Sequence, residues 1–332
     1  MKISAACFKD DEIRSTINSS GSTGLCGVTN QKGFVVDIEY FSDFFSDLLN
    51  IFQESLTSKK SLVQLIQEDW DFFHDENTAN IILSECIKQY RPDFNSKQVE
   101  YIPQISDFIK LWEDIKDILQ HQTRYFTNLG KLYPTAPMLD GYIVADEHIG
   151  KGHTFYRARV LPDKKQYYKK TEMGCPPPEI VNAGRANPIG IPYLYLCADK
   201  ETTYYEVRAR FLDRIGIGTF ETNRDLNIVN FVDKTSLYLS SHTGDIVEFI
   251  KKKLLLKRIS KDMSKPLTRY DSELEYVPTQ YICELSKLHG ADGICFESSL
   301  KKGGLNYVLF NESDADCINV ENIHIKEVII KA

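Results

Sequence analysis

The stretch Gly184-Arg185-Ala186-Asn187-Pro188-Ile189-Gly190-Ile191-Pro192 leads directly into Tyr193-Leu194-Tyr195-Leu196-Cys197. Its glycines and prolines predict a loop with a fixed, non-helical backbone that presents Arg185 and Asn187 from a rigid frame. The apolar-rich run that follows predicts a strand, in which Tyr195 shares one face with the tyrosine two residues before it. A constrained loop followed by a strand predicts a folded α/β segment here.

Strand-like runs and helical patterns alternate on both sides of this stretch, which is typical of a mixed α/β domain. The predicted strands are Thr154–Val160, Tyr193–Ala198, Ile228–Phe231, Gly293–Glu297, Asn306–Phe310 and Ile323–Ile330. The predicted helices are Lys200–Arg214, Gly244–Ser260 and Pro278–Leu288. We therefore predict an α+β protein whose C-terminal domain covers residues 133–332.

The N-terminal part has a different pattern. Apolar residues recur at helical spacing across Tyr40–Phe52 and again from about Asp107, with shorter helical segments expected at Leu62–Phe73 and Ala79–Tyr90. The segment Tyr133-Pro134-Thr135-Ala136-Pro137 would break any helix. These observations predict a helical N-terminal domain over residues 1–132.

Composition excludes several classes of function. The chain has 332 residues and a net charge of -7, which disfavours general binding to nucleic acid. No run of about eighteen apolar residues is present, and the N-terminus becomes acidic early, so we expect neither a membrane span nor a signal peptide. The sequence therefore predicts a cytoplasmic protein without nucleic-acid or membrane partners.

Several familiar active-site motifs are absent from the sequence. There is no P-loop, no Gly-x-Ser-x-Gly elbow and no His-Glu-x-x-His, and Gly216-Ile217-Gly218 lacks the third glycine of a dinucleotide fingerprint. Near the N-terminus, Cys7 and Cys26 are single cysteines where a zinc ribbon would need pairs, since positions 4 and 29 hold Ser and Thr. We predict no metal site, although these two thiols leave the question open.

Two features could carry chemistry, although each also has a purely structural interpretation. His153-Thr154-Phe155-Tyr156-Arg157-Ala158-Arg159 predicts a strand with Arg157 and Arg159 on one face, which could equally be surface arginines. Glu206 is expected on the helix after Asp199, where an ion pair with Arg210 would be its ordinary role. Taken separately, neither feature identifies an active site.

Taken in order, the motifs resemble the RES domain family. They are Phe-Tyr-Arg-Ala-Arg from 155, Gly-Arg-Ala-Asn-Pro from 184, Leu-Tyr-Leu from 194, Glu-Val-Arg from 206 and Ser-Ser-x-x-x-Gly-Gly-x-Asn from 298. The resemblance covers roughly residues 150–332. The N-terminal part resembles, more loosely, the helical HEPN/RES N-terminal domain, but no arginine is followed by a histidine at the HEPN nuclease spacing. RNase activity is therefore not expected.

The resemblance implies a fold similar to ADP-ribosyltransferases and a toxin of a toxin–antitoxin pair that degrades NAD. It implies Glu206, Arg157 and Ser298 as catalytic residues, with Ser298 orienting the amide of nicotinamide. The resemblance also implies binding roles for Tyr156, Arg185, Tyr195 and Asn306. NAD would be the substrate, with no further cofactor, and phosphate a candidate co-substrate.

Three functions remain open at this point. The leading one is cleavage of the nicotinamide–ribose bond of NAD, by hydrolysis or by phosphorolysis. The second is an ADP-ribosyltransferase that modifies a protein or a nucleotide, and the third is a catalytically silent binding module. A cognate antitoxin protein is the expected partner, and we expect the N-terminal domain to regulate or target the C-terminal one.

Overall fold

A computed structural model describes residues 1–124, 141–232, 236–265 and 273–328. The chain divides into two compact units, one made of Met1–Leu111 with Lys234–Leu255 and one made of Trp112–Asp233 with Leu256–Ala332. These units differ in their bounds from the domains predicted at 1–132 and 133–332, because Ile250 and Leu254 belong to the apolar core of the first unit. The domain bounds themselves stay a prediction. The predicted break at 133–137 lies outside the described residues.

Most of the described helices lie on periodic segments of the sequence, although the helix Asp11–Ser20 was not predicted. They are α1 (Asp11–Ser20), α2 (Ser42–Asn50), α3 (Leu62–Trp70), α4 (Glu76–Tyr90), α5 (Pro103–His121), α6 (Lys200–Glu206), α7 (Ile246–Ser264) and α8 (Val277–Leu288). Side-chain caps fix several of their starts, as where Ser61 and Gln64 form a capping box at the start of α3. None of the helices in the described ranges is long and apolar enough to cross a membrane.

The first unit contains strands as well as helices. Its strands are β1 (Lys2–Ser4), β2 (Ser22–Leu25), β3 (Lys32–Asp37), β4 (Phe52–Glu54) and β5 (Val99–Tyr101). The first three form an antiparallel sheet in the order β1-β3-β2, and β4 pairs with β5. The prediction of a helical N-terminal domain over residues 1–132 was therefore incomplete, because these short strands carry too few residues to show an alternating pattern.

The second unit is built on one mixed sheet. Its strands are β6 (Glu147–Ile149), β7 (Thr154–Val160), β8 (Leu194–Cys197), β9 (Arg214–Thr222), β10 (Leu226–Asn230), β11 (Gly293–Glu297), β12 (Leu305–Leu309) and β13 (Ala315–His324). The order is β13-β9-β7-β8-β12-β11-β10-β6, in which β10 and β11 are parallel and the other pairs are antiparallel. Helices combined with a mixed sheet confirm the α+β class.

In the second unit, the strands β6 and β9 were not predicted from the sequence. The helix predicted to continue to Arg214 ends at Glu206, and β9 begins where that helix was expected to stop. In β9, Gly216 and Gly218 alternate with buried isoleucines, and a Cβ atom at Gly216 would lie 2.8 Å from the ring of Tyr168. Because Gly216 and Gly218 have no side chains, neighbouring residues such as Tyr168 pack closely against β9. The same absence of side chains removes the alternating pattern that predicts a strand. The last described strand, Ala315–His324, begins and ends earlier than the predicted Ile323–Ile330, of which residues 329 and 330 lie outside the described residues.

Candidate active site

Glu206 is the last residue of α6, and two side chains from distant parts of the sequence hold its carboxylate. Ser298 Oγ donates a hydrogen bond to Glu206 Oε1 over 2.6 Å. Asn306 Nδ2 donates to the same oxygen over 2.8 Å. The structure therefore brings together three of the site residues predicted from the sequence. Among the described residues, no hydrogen bond or ion pair engages the other carboxylate oxygen, Oε2.

The Ser298 hydroxyl forms three hydrogen bonds with other groups of the protein. Its oxygen accepts hydrogen bonds from the backbone N–H groups of Leu300 and Lys301, each over 3.2 Å. A hydroxyl has one proton to donate, and here that proton goes to Glu206. In this arrangement Ser298 positions the carboxylate. The role that the resemblance implies for Ser298, orienting the amide of nicotinamide, stays a prediction.

Strand pairing explains how Asn306 reaches the carboxylate. Asn306 on β12 is the register partner of Cys197 on β8, and α6 follows β8 closely along the chain. The side chain of Asn306 is buried, and its oxygen accepts a weak hydrogen bond from Cys197 Sγ over 3.4 Å. Glu206 itself is exposed, so solvent or a ligand can reach a carboxylate whose two hydrogen-bond donors are buried.

The Gly184–Pro192 loop is braced from within by Asn187. This side chain is 4% exposed, and its nitrogen donates to the carbonyl oxygens of Asn182 and Pro188. Tyr195 Oη donates to Asn187 Oδ1 over 2.8 Å. A Cβ atom at Gly184 would lie 2.5 Å from that same oxygen, so only glycine fits there without displacement. The loop is therefore locally rigid, and Asn187 holds it together.

Arg157 and Arg185 line one cavity together with Glu206. Arg157 Nη1 donates to the carbonyl oxygen of Tyr195 over 3.0 Å, while its buried Nε has no partner among the described residues. Burial, reinforced by the nearby charge of Arg159, lowers the pKa of Arg157 to about 10. The cavity therefore contains a cation that is poorly solvated and only partly satisfied by the protein.

Arg185 is the second cation of this cavity. Its Nη1 donates to the carbonyl oxygen of Met263 over 2.5 Å. Burial lowers the pKa of Arg185, and the Tyr276 hydroxyl and the Glu206 carboxylate act in the opposite direction. The Glu206 carboxylate therefore interacts electrostatically with the Arg185 guanidinium across the cavity, but the two groups form no ion pair.

The cavity has a volume of about 430 Å³, within the range of small-molecule sites. Of the residues predicted from the sequence, Arg157, Arg185, Tyr195, Glu206 and Asn306 line it. Ser298 is not part of this lining, but it is hydrogen-bonded to Glu206 and Leu300, which are.

Tyr156 lies outside the cavity lining, and its ring centre is 5.7 Å from Lys200 Nζ. The lining also contains Thr203, Arg208 and Tyr276, which the sequence interpretation did not select. Arg208 had a signal in the sequence, because it closes the quoted Glu-Val-Arg motif.

In the first unit, Cys7 and Cys26 lie close together as free thiols. Their sulfur atoms are 3.6 Å apart, and Ser4 Oγ is 3.9 Å from Cys7 Sγ. Burial raises the pKa of Cys26, but hydrogen bonds from Ser4 and Thr29 outweigh that effect and lower it to about 7. The part of the chain that the structure covers contains no cluster of three or more His, Cys, Asp or Glu able to hold a metal ion.

The second unit thus places one carboxylate, that of Glu206, and three guanidinium groups, those of Arg157, Arg185 and Arg208, around one cavity. The RES domain family model matches residues 154–328, which is more than half of the chain, and the chain therefore belongs to this family. The matched region contains all the site residues named above. The toxin–antitoxin complex MbcT–MbcA of M. tuberculosis is a similar solved structure. It is 13% identical, with 56% of this chain and 91% of that chain covered at a TM-score of 0.33. The curated proteins contain no match to the chain.

Proposed function

We propose that this chain is a RES-type toxin that breaks the nicotinamide–ribose bond of NAD. The observation that carries the proposal is the Glu206 carboxylate, held by Ser298 and Asn306 in a cavity that also contains Arg157 and Arg185. Membership of the RES domain family supports the same conclusion. The resemblance of this fold to ADP-ribosyltransferases is part of the proposal.

The chemistry of NAD explains why a positioned carboxylate is needed. When nicotinamide leaves, positive charge develops on the ribose carbon and on the ring oxygen, and a fixed anion nearby lowers the energy of that state. Nicotinamide departs as a neutral base, so no general acid is required for the leaving group. With Oε1 of Glu206 held by two donors, Oε2 is available for the ribose or for the attacking nucleophile.

The arginines of the cavity could bind the negatively charged part of the substrate. NAD carries a pyrophosphate, and a chain with a net charge of -7 must concentrate cations locally to bind it. Arg157 and Arg185 supply positive charge inside the cavity, and Tyr195 provides an aromatic wall for nicotinamide or ribose. In hydrolysis, the oxygen of water bonds to the ribose carbon and releases a proton to solvent, while the bond from that carbon to the nicotinamide nitrogen breaks. In phosphorolysis, an oxygen of inorganic phosphate forms the new bond instead.

Two further parts of the proposal concern the setting of the reaction. We infer that the protein acts in the cytoplasm, with NAD as substrate and without another cofactor. We also infer a cognate antitoxin protein as partner, as expected for a toxin of this family.

The test is to incubate the purified full chain with NAD, with and without inorganic phosphate, and to identify the products by mass spectrometry. Free nicotinamide with ADP-ribose would establish hydrolysis, and a phosphorylated ADP-ribose formed only with phosphate would establish phosphorolysis. Label from NAD on protein or nucleotide in a lysate would instead establish ADP-ribosyl transfer. NAD that binds but stays intact under all of these conditions would overturn the proposed cleavage.

A further inference from the structure

A second, more apolar groove adjoins the candidate active site. It has a volume of about 620 Å³, and its lining includes Tyr204, Tyr205, Ala209, Leu300 and Ile325. Leu300 and Arg208 line both this groove and the cavity that contains Glu206. The two spaces therefore meet at these residues, directly after the C-terminal end of α6.

Arg208 is unusual in two respects. Its φ of 49° lies in the left-handed region, which is uncommon for a residue other than glycine and is often found at ligand sites. Its side chain is exposed, and among the described residues its guanidinium has no hydrogen-bond or ion-pair partner. Arg157 and Arg185 each donate to a backbone carbonyl, so Arg208 is the cavity cation whose donors remain most available.

From this arrangement we propose that Arg208 binds the pyrophosphate of the dinucleotide and that the adjoining groove binds its adenosine half. This inference rests on the proposed function, and it adds where the second half of the substrate lies. An arginine offers several N–H donors in a planar fork that matches phosphate oxygens. Tyr205 lines the groove together with Arg208 and is 46% exposed, so part of its aromatic surface is open to a planar base.

Another cavity also touches Arg185 but fits a phosphate-bearing group less well. It has a volume of about 210 Å³, and the carboxylates of Glu113, Asp262 and Glu275 line it. Lys116 in that cavity is already paired with Asp262 over 3.0 Å. Negative side chains repel phosphate oxygens, and the apolar groove has fewer of them, because only Glu201 and Glu327 contribute carboxylates to its described lining. Lys301 pairs with Glu201 over 3.0 Å. The groove beside Arg208 is therefore the better site for adenosine diphosphate.

A series of shortened substrates tests the assignment of Arg208. The full chain is assayed with NAD, with nicotinamide mononucleotide and with nicotinamide riboside, and kcat/KM is measured from nicotinamide release. For Arg208→Gln we expect kcat/KM to fall about tenfold to a hundredfold with NAD, because charge-assisted hydrogen bonds to the phosphates are lost. With nicotinamide riboside, which has no phosphate, we expect no change. Equal losses on NAD and nicotinamide riboside would overturn the assignment.

Two further variants separate charge from backbone strain. Arg208→Asn removes the charge but suits the left-handed conformation, so it should lose as much activity on NAD as Arg208→Gln. Arg210→Gln changes an exposed arginine two residues away that lines neither space, and it should behave like the parent chain. If Arg208→Asn instead keeps parental activity on NAD, strain rather than charge explains the loss and the proposal fails.

Tyr205 tests the adenine position independently. Tyr205→Ala should lower kcat/KM about fivefold to a hundredfold with NAD, because stacking on the base is lost. The same variant should leave nicotinamide mononucleotide unaffected, since that substrate has no adenine. An unchanged kcat/KM with NAD would show that adenine binds elsewhere.

A binding measurement distinguishes failure of this inference from failure of the proposed function. The affinity of the full chain for ADP is measured by calorimetry, without any cleavage step. If the chain releases no nicotinamide but Arg208→Gln still weakens ADP binding about tenfold or more, the proposed cleavage fails and the nucleotide site stands. If NAD is cleaved but ADP binds the parent and Arg208→Gln equally, the nucleotide site fails and the cleavage stands.

Discussion

Replacing Glu206 by Gln changes the charge of the candidate active site with little change in shape. Ser298 Oγ and Asn306 Nδ2 both donate to Oε1, and the amide oxygen of glutamine can accept the same two hydrogen bonds. The amide nitrogen then takes the place of Oε2, which no described group engages. We therefore expect the Glu206→Gln variant to fold like the parent chain.

The expected effect on catalysis follows from the role of the carboxylate. Loss of one preorganised group that stabilises developing charge typically costs about 100- to 1000-fold in kcat, or roughly 2.7–4 kcal/mol. Because Glu206 is exposed, we expect the free energy of unfolding to change by no more than about 0.5 kcal/mol. The prediction is thus a large loss of turnover at nearly unchanged stability.

Nicotinamide release from NAD by the purified full chain is the assay, with urea unfolding measured in parallel. Glu179→Gln serves as the matched control, because Glu179 is exposed on a short 3-10 helix and is absent from the cavity lining. Parental turnover by Glu206→Gln would refute the role given to the carboxylate. A loss of turnover of the same size in Glu179→Gln would show that the effect is not specific to the site.

Three other predictions concern groups that hold the site together. Ser298→Ala should lower kcat about 10- to 100-fold through loss of a hydrogen bond to a charged group, and Ser298→Thr should recover part of it in the same assay. Gly184→Ala should destabilise the chain by about 1–3 kcal/mol in urea unfolding, since the new Cβ would lie 2.8 Å from Tyr195 Oη; unchanged stability would contradict the close approach. Burial of Asp199 opposes ionisation, but hydrogen bonds from Lys301 and Thr202 outweigh it and lower its pKa to about 2. The stability that ionised Asp199 contributes is therefore present above about pH 4 and is lost as pH falls through 2, so Asp199→Asn should flatten the fall in stability over that window; an unaltered pH profile would contradict this.

Local sequence signals predicted the elements that carry the site better than the contacts within it. The strands Thr154–Val160 and Gly293–Glu297 have the predicted bounds, because alternating or continuous apolar runs mark them. The strand Arg214–Thr222 was missed because its glycines, which pack closely on other side chains, remove the apolar alternation. Close packing of this kind depends on partners far away in the sequence.

In the candidate site, too, local motifs predicted the residues, whereas the contacts between these residues depend on the fold. The ordered motifs identified Glu206, Ser298 and Asn306, and the structure joins them through hydrogen bonds. The role of Ser298 could not be read from the sequence, because it depends on a turn whose backbone N–H groups occupy the lone pairs of the hydroxyl. Whether the N–H donors of the Arg208 guanidinium are free to bind a ligand likewise depends on long-range packing, which the sequence does not show.

The most direct test of the account is a crystal structure of the Glu206→Gln variant grown or soaked with NAD. Because this variant should bind NAD but cleave it slowly, the intact substrate should be visible. The account predicts the nicotinamide-bearing ribose beside residue 206, within the cavity that Arg157 and Arg185 line. NAD bound at another place on the chain, with this cavity empty at saturating concentration, would contradict it.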